Sequence, residues 1–315
     1  MITFIYLSDN KRVYTFKYFL YFLNKVKNIK NIHLLILIHD TNKDFFINKL
    51  KKYSNIKYLI KNFDNNNNYF NKIKYSIEYS KKNKNKYILK FDNDLIVNNY
   101  VLDYMINNIN LLENKDNLFI TPNLSSGIPT IEAFIKNFFN NKEKQEIYNI
   151  FMKTKIPNNL WNTNYTLLNQ YLINNNEWNF EHFCKILNSI DTKYKGLHPI
   201  RINKEAILYL NSWIINNKNK LFEKKEYKIN ISNNFCYFCN SIFLIKINDY
   251  EKILFDKTFN DRFDEIKLNK YCKKNNLNGI FINNSFSIHP IYNTILNYKK
   301  YERDLFNTLF LEKNI

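Results

Sequence analysis

Lys86-Tyr87-Ile88-Leu89-Lys90-Phe91-Asp92-Asn93-Asp94-Leu95-Ile96-Val97 is an apolar run interrupted near its middle by two carboxylates one residue apart. A short apolar run of this kind reads as a buried strand, here closed by acidic residues. Successive side chains of a strand point to opposite faces, so Asp92 and Asp94 are expected to project to one side. There they can share a divalent cation or a ligand's hydroxyls. Carboxylates at the end of a buried strand are costly unless something positive sits beside them. The bare Asp-x-Asp spacing says little, since 14 Asp in 315 residues yield roughly 0.6 such pairs by chance. A solvated turn after a strand explains the spacing equally well, and the surroundings have to decide.

Working outward, residues 3–7 read as a first strand closed by Ser8-Asp9-Asn10, and residues 13–26 as a helix. Residues 33–38 form a second strand ending at His39-Asp40, followed by a helix over 43–52 that Thr41 or Asn42 can cap. A third strand is expected at 56–60, a loop at the asparagine run 65–68, a helix over 69–81, and a strand at 118–122. This alternation over residues 1–125 predicts an α/β fold with βα units feeding a mostly parallel sheet. From 126 to 239 the pattern changes: 131–152, 181–190 and 204–216 look helical, and 154–178 is polar and irregular. Strand signals there are weak, so the block reads as a mostly helical insertion or lid. In the last part, 240–315, strands resume at 241–247 and 279–282, and a helix near 299–311 closes the chain. No internal repeat is visible.

Composition narrows the classes. With 45% hydrophobic and 17% aromatic residues the chain can bury a substantial core, which excludes global disorder. The formal charge of +19 rests on 43 Lys and 4 Arg, whereas a nucleic-acid reader favours Arg for bidentate contacts. Lys, Asn, Ile, Tyr and Phe are over-used and only 3 Gly occur, the signature of an AT-rich genome, so the charge reads as inherited. No nucleic-acid partner is expected from it, while attraction to anionic lipid surfaces or phosphorylated substrates stays open. Cys184, Cys236, Cys239 and Cys272 make no disulfide framework, and the Cys236–Cys239 pair lacks a second pair or a nearby His to complete a zinc site. Buried thiols in a reducing compartment are the expectation. No apolar run approaches the roughly 18 residues of a membrane span, and the start lacks the basic residues of a signal peptide. A cytoplasmic protein follows, with any membrane contact peripheral.

In open α/β sheets ligands bind beyond the carboxyl ends of the strands, which here supply Ser8, Asp9, Asp40, Asp92 and Asp94. Capping of the next helix is the alternative for Asp40. Further along, Phe255-Asp256-Lys257-Thr258-Phe259 precedes Phe263-Asp264-Glu265-Ile266-Lys267-Leu268. A helix, Asn278-Gly279, a strand and His289-Pro290 follow. This order resembles the acceptor half of glycosyltransferases with the GT-A fold, in particular the family 2-like group. There a Phe-Asp segment leads through an acidic pair and a Leu to a helix, a strand and a His. The strand, helix, Asp40 and Asp92-Asn93-Asp94 order of the first half fits the same family. The resemblance covers about residues 1–125 and 240–292; the acidic pair is reversed as Asp-Glu.

The resemblance implies a Rossmann-like mixed, mostly parallel sheet flanked by helices. It implies a metal-dependent, inverting transfer of a sugar from a nucleotide-sugar donor, a UDP-sugar first of all, to a glycan or glycoconjugate, as in polysaccharide biosynthesis. Asp94 would coordinate Mn²⁺ or Mg²⁺ between the donor's phosphates, Asp92 would reach the ribose or the same metal, and His289 would complete the metal shell. Lys72 or Lys74 would meet the phosphates, with Ser8, Asp9 and Asp40 on the rest of the donor. Glu265, or Asp264 beside it, would take the proton from the acceptor hydroxyl. A helix N-terminus that favours carboxylates is the other account of this pair, and a loop or core histidine that of His289. Trp161, Trp178 and Trp213 could stack on sugars, with core packing as the default, and His198 sits in a turn that could touch an acceptor. Two further readings stand beside this one: a basic nucleotide- or nucleic-acid-binding module, and an inactive transferase-like scaffold.

Overall fold

The computed structural model describes residues 1–8, 12–27, 29–39, 43–63, 69–125, 130–153, 200, 203–233, 241–256, 264–290 and 299–311. The chain divides into two compact units. The first comprises Met1–Pro122, Ile231–Asn233 and Cys239–Ile282, the second Asn123–Asn230, Asn234–Phe238 and Asn283–Ile315.

Strands β1 (Ile2–Leu7), β2 (Ile32–His39), β3 (Lys57–Phe63) and β4 (Tyr87–Asp92) alternate with helices α1 (Phe16–Leu23), α2 (Lys43–Leu50) and α3 (Tyr69–Lys82). They are followed by α4 (Asn99–Asn107), β5 (Asn117–Leu124), β6 (Ile229–Ser232), β7 (Ile242–Lys246) and β8 (Asn278–Ser287). Among the described residues the sheet order is β3-β2-β1-β4-β7-β5-β8-β6. The β3-β2-β1-β4 half is parallel, and β7 runs antiparallel to both β4 and β5. This is the mixed α/β sheet expected from the alternation of strands and helices. Side chains of β1 are buried along its whole length, as a parallel strand covered on both faces requires. Phe4, Tyr6, Phe16, Phe19 and Phe91 form the core between α1 and the sheet, with Tyr6–Phe19 and Phe19–Phe91 centroids 4.6 and 4.9 Å apart. Aromatic rings thus fill the volume that Leu and Val fill in less Phe-rich chains.

Several boundaries differ from expectation. The third strand runs to Phe63 rather than 60, and β8 continues to Ser287 through the polar Asn283-Asn284 pair. Those amides are used: Asn283 donates its backbone N–H to Lys228 O at 2.9 Å, and Asn284 Oδ1 accepts from Lys228 N at 2.8 Å. The single helix expected over 131–152 is two, α5 (Thr130–Phe138) and α6 (Asn141–Lys153). Asn140 Oδ1 accepts from Glu143 N at 2.9 Å and Glu143 Oε2 accepts from Asn140 N at 2.7 Å. This reciprocal pair is a capping box, which starts a new helix there. The sequence reading assigns no element to residues 98–116, where α4 is capped by Asn98 Oδ1 accepting from Val101 N at 2.9 Å. Within 126–239 the structure shows α5, α6, α7 (Lys204–Asn216) and the four-residue strand β6, too short to declare itself by alternation. The expected helix at 181–190 and the irregular stretch 154–178, with Trp161, Trp178 and His198, lie outside the described residues.

The helices α8 (Ile247–Phe255), α9 (Asp264–Asn275) and α10 (Lys299–Leu309) follow in the last part of the chain. Trp213 is in the core of the second unit, stacked on Phe139 with centroids 4.1 Å apart. Cys272 is buried, and burial pushes its thiol well above the ordinary range, which makes it inert as a nucleophile. Cys184, Cys236 and Cys239 lie outside the described residues. Among the described residues no helix is long and apolar enough to cross a membrane.

Candidate functional site

Register alone brings several polar residues to one edge. Leu7 at the end of β1 stands opposite Leu37 of β2 and Asp92 of β4. Ser8, His39 and Asn93-Asp94 therefore follow at the carboxyl edge of three adjacent parallel strands, where an α/β sheet receives ligands. All belong to the first unit.

β4 ends at Asp92, whose backbone N–H donates to Ser241 O at 2.8 Å just before β7 begins. Asn93 and Asp94 form the turn beyond it. The alternation that would send both carboxylates to one face thus stops at Asp92, because the antiparallel neighbour pairs no further. Each carboxylate meets a cation of the chain. Lys90 Nζ lies 3.0 and 3.2 Å from the two oxygens of Asp92, and Arg12 Nη1 lies 3.9 Å from Asp94 Oδ2. Lys90 is fully buried, while the side chains of Asp92 and Asp94 are 28% and 17% exposed, so a ligand can reach them.

Lys72, on the inner face of α3, places Nζ 2.6 Å from His39 Nε2. Which of the two donates depends on the tautomer of the ring. Lys74 lies two residues on, about 200° around the helix, and pairs with Glu78 at 4.0 Å on the exposed side. It is not brought to this edge. Ser8 is buried and donates its backbone N–H to Leu37 O at 3.0 Å. Asp9 and Asp40 lie outside the described residues. Asp264 and Glu265 open α9, at the end of the helix whose free N–H groups favour carboxylates; their side chains lie outside the described residues. His289 belongs to the second unit, where it is buried and donates its backbone N–H to Ser125 Oγ at 3.1 Å.

Among the described residues no three His, Cys, Asp or Glu side chains gather into a metal cage. A divalent ion that bridges phosphates needs no cage: one or two carboxylates plus the phosphate oxygens complete its shell. Asp94, a hard-oxygen donor at a partly exposed turn, fits that role. Asp92 fits it less well, because Lys90 already faces both of its oxygens.

At the opposite, amino end of β4, a cavity of about 350 Å³ is lined by Lys81, Asn85, Lys86, Tyr87 and Lys246 among others. There Tyr87 donates to Glu113, and burial together with that bond pushes its phenol up to about 12.

Lys90, Arg12 and His39 are the residues of this edge that sequence reasoning missed. Lys90 had a signal: an ionisable residue inside a buried strand, two positions before Asp92 and therefore on its face. His39 had its place at the end of the second strand, and Arg12 had none, since its partner is distant in sequence.

No family model matches the chain, and no curated protein matches it. Among solved structures, S. aureus TarS 1–349 in complex with UDP-GlcNAc is similar at a TM-score of 0.35 and 10% identity. That match covers 69% of this chain and 72% of that one. Against a longer S. aureus TarS chain the match covers 39% of this chain and spans 21% of that one, at a TM-score of 0.31 and 9% identity. Core-mannan synthase A (CmsA/Ktr4) from Aspergillus fumigatus, in its Mn/GDP form, gives 0.36 and 10% over 86% of this chain and 64% of that one. A cytidylyltransferase from Leptospira borgpetersenii gives 0.29 and 15%, over 38% of this chain and 53% of that one. Likenesses this distant say nothing of activity.

Proposed function

We propose that the chain is a glycosyltransferase that moves a sugar from a nucleotide-sugar donor to a hydroxyl of a glycan or glycoconjugate. The observation that supports this reading is the carboxyl edge of the first unit. Asp92 and Asp94 sit at the tip of a central parallel strand, beside Lys90, Arg12 and the Lys72–His39 pair. A nucleotide-sugar needs both kinds of group: carboxylates accept from its hydroxyls, and cations offset its two phosphates.

In this reading Asp92 accepts from the ribose and Asp94 holds Mn²⁺ or Mg²⁺. The ion, when bound, offsets the charge that builds on the departing nucleoside diphosphate. Lys72 adds fixed positive charge there, and Ser8, Asp9 and Asp40 hold the nucleoside. Glu265, or Asp264 beside it, takes the proton from the acceptor hydroxyl as its oxygen attacks the anomeric carbon. The bond to the diphosphate breaks and the electron pair leaves with it, a single displacement that inverts the centre.

Calorimetric titration with UDP, with and without Mn²⁺, tests the donor site. Binding is expected to require Mn²⁺ and to weaken at least tenfold in Asp94→Asn; binding indifferent to both would remove the assignment. Glu265→Gln is expected to slow turnover while leaving UDP affinity within about twofold. Single-stranded nucleic-acid binding that falls steeply with salt and ignores Asp94→Asn would favour the basic binding module instead.

A further inference from the structure

Among the described residues of this edge, Lys90 is a charged side chain buried inside the sheet. It sits in mid-sheet, opposite Ile5 of β1 and Phe243 of β7, with none of its side chain exposed. Burying an ammonium is costly, and replacing a whole buried ion pair by apolar side chains of similar volume is often neutral or stabilising. Two rings soften the cost, since Nζ lies 5.5 Å from the Tyr69 centroid and 5.8 Å from that of Phe243. The principal counter-charge is Asp92, met at both oxygens. Residues two apart on a strand share a face, so strand geometry and not a flexible loop holds the ammonium under the carboxylate.

We propose that Lys90 is a positioning residue of the donor site, which fixes the carboxylate plane of Asp92 and cancels its charge. The inference rests on the transferase reading and adds to it a residue that touches no substrate. Held at both oxygens by Lys90, the Asp92 carboxylate stays 28% exposed and can be reached by a ligand. Without the ammonium, Asp92 would lose the cation that meets both its oxygens, and its charge would weigh more heavily against an incoming diphosphate. Donor affinity therefore depends on Lys90 only while Asp92 is an anion.

The test is a double-mutant cycle on the full chain with Lys90→Met, Asp92→Asn and both together, reading UDP affinity with Mn²⁺ by calorimetry. Lys90→Met is expected to weaken binding at least tenfold, whereas adding it to Asp92→Asn changes affinity less than twofold. Lys90→Gln, which keeps a donor without the charge, serves if Lys90→Met does not fold, with the same pattern expected. A merely structural Lys90 would lower the thermal midpoint yet leave the affinity of the folded protein unchanged. That result overturns the proposal, as does a loss that persists undiminished in the Asp92→Asn background. Wild-type protein that binds no UDP overturns the transferase reading and this inference with it. Wild-type binding with additive variants overturns this inference alone.

Discussion

Lys225, in the second unit, shows how a single charge couples to stability. Its Nζ lies 4.3 Å from the Phe138 centroid, and burial, then the charge of Lys220, bring its ammonium down to about 8, with Glu223 opposing. The unfolded value is near 10.4, so below pH 8 both states hold the proton and the folded state carries the full penalty. As pH rises from about 8 to about 10 the folded state releases its proton first, the unfolded state binds more, and stability increases. Stability is expected to rise over that window by on the order of 1 kcal/mol after solvent screening, seen as a climbing thermal midpoint. Lys225→Met should raise the midpoint at neutral pH and flatten the climb; a variant that climbs as wild type does would contradict this. Residues of the candidate site were legible unevenly. Asp92 and Asp94 stand out in the sequence, but Arg12 meets Asp94 across 82 positions and Lys72 meets His39 across 33. Pairings at that range follow from how strands and helices stack, not from local pattern.

At the scale of elements, Gly279 near the start of β8 shows how tightly the sheet is packed. A Cβ there would meet Phe119 at 2.6 Å and Phe281 at 2.8 Å. Those two rings already stand edge to face, with centroids 5.8 Å apart. Gly279→Ala must displace both, at a cost of about 1–3 kcal/mol. A urea titration with a lowered midpoint and an unchanged slope is the expected result, and an unmoved midpoint would show that the rings give way freely. Strands β1, β2 and β4 were legible because each is a buried apolar run. The break between α5 and α6 was also written in the chain, as Asn140 three residues before Glu143. The helical apolar pattern runs on through that site, which is why periodicity misses it. β6 is too short for its alternation to register, and the second half of β8 carries no such pattern, because Asn284 and Ser285 answer backbone groups of neighbouring segments.

For the whole molecule, the formal charge of +19 implies self-repulsion that salt should relieve. Raising NaCl from about 50 to about 500 mM shortens the Debye length several-fold, and the thermal midpoint is expected to rise by a few degrees. A fall would mean that pairs such as Lys81–Glu251 outweigh the repulsion. By itself the sequence determined the fold class, the strand-helix alternation of its first 125 residues and the acidic tip of β4, since each follows from local apolar pattern and the period of side-chain direction. Tertiary structure alone decided where β4 stops, which cations meet the two carboxylates, and that β7 enters between β4 and β5 in the opposite direction. Those outcomes depend on which backbone hydrogen bonds a neighbouring strand can still supply, and on side chains far apart in sequence sharing one edge.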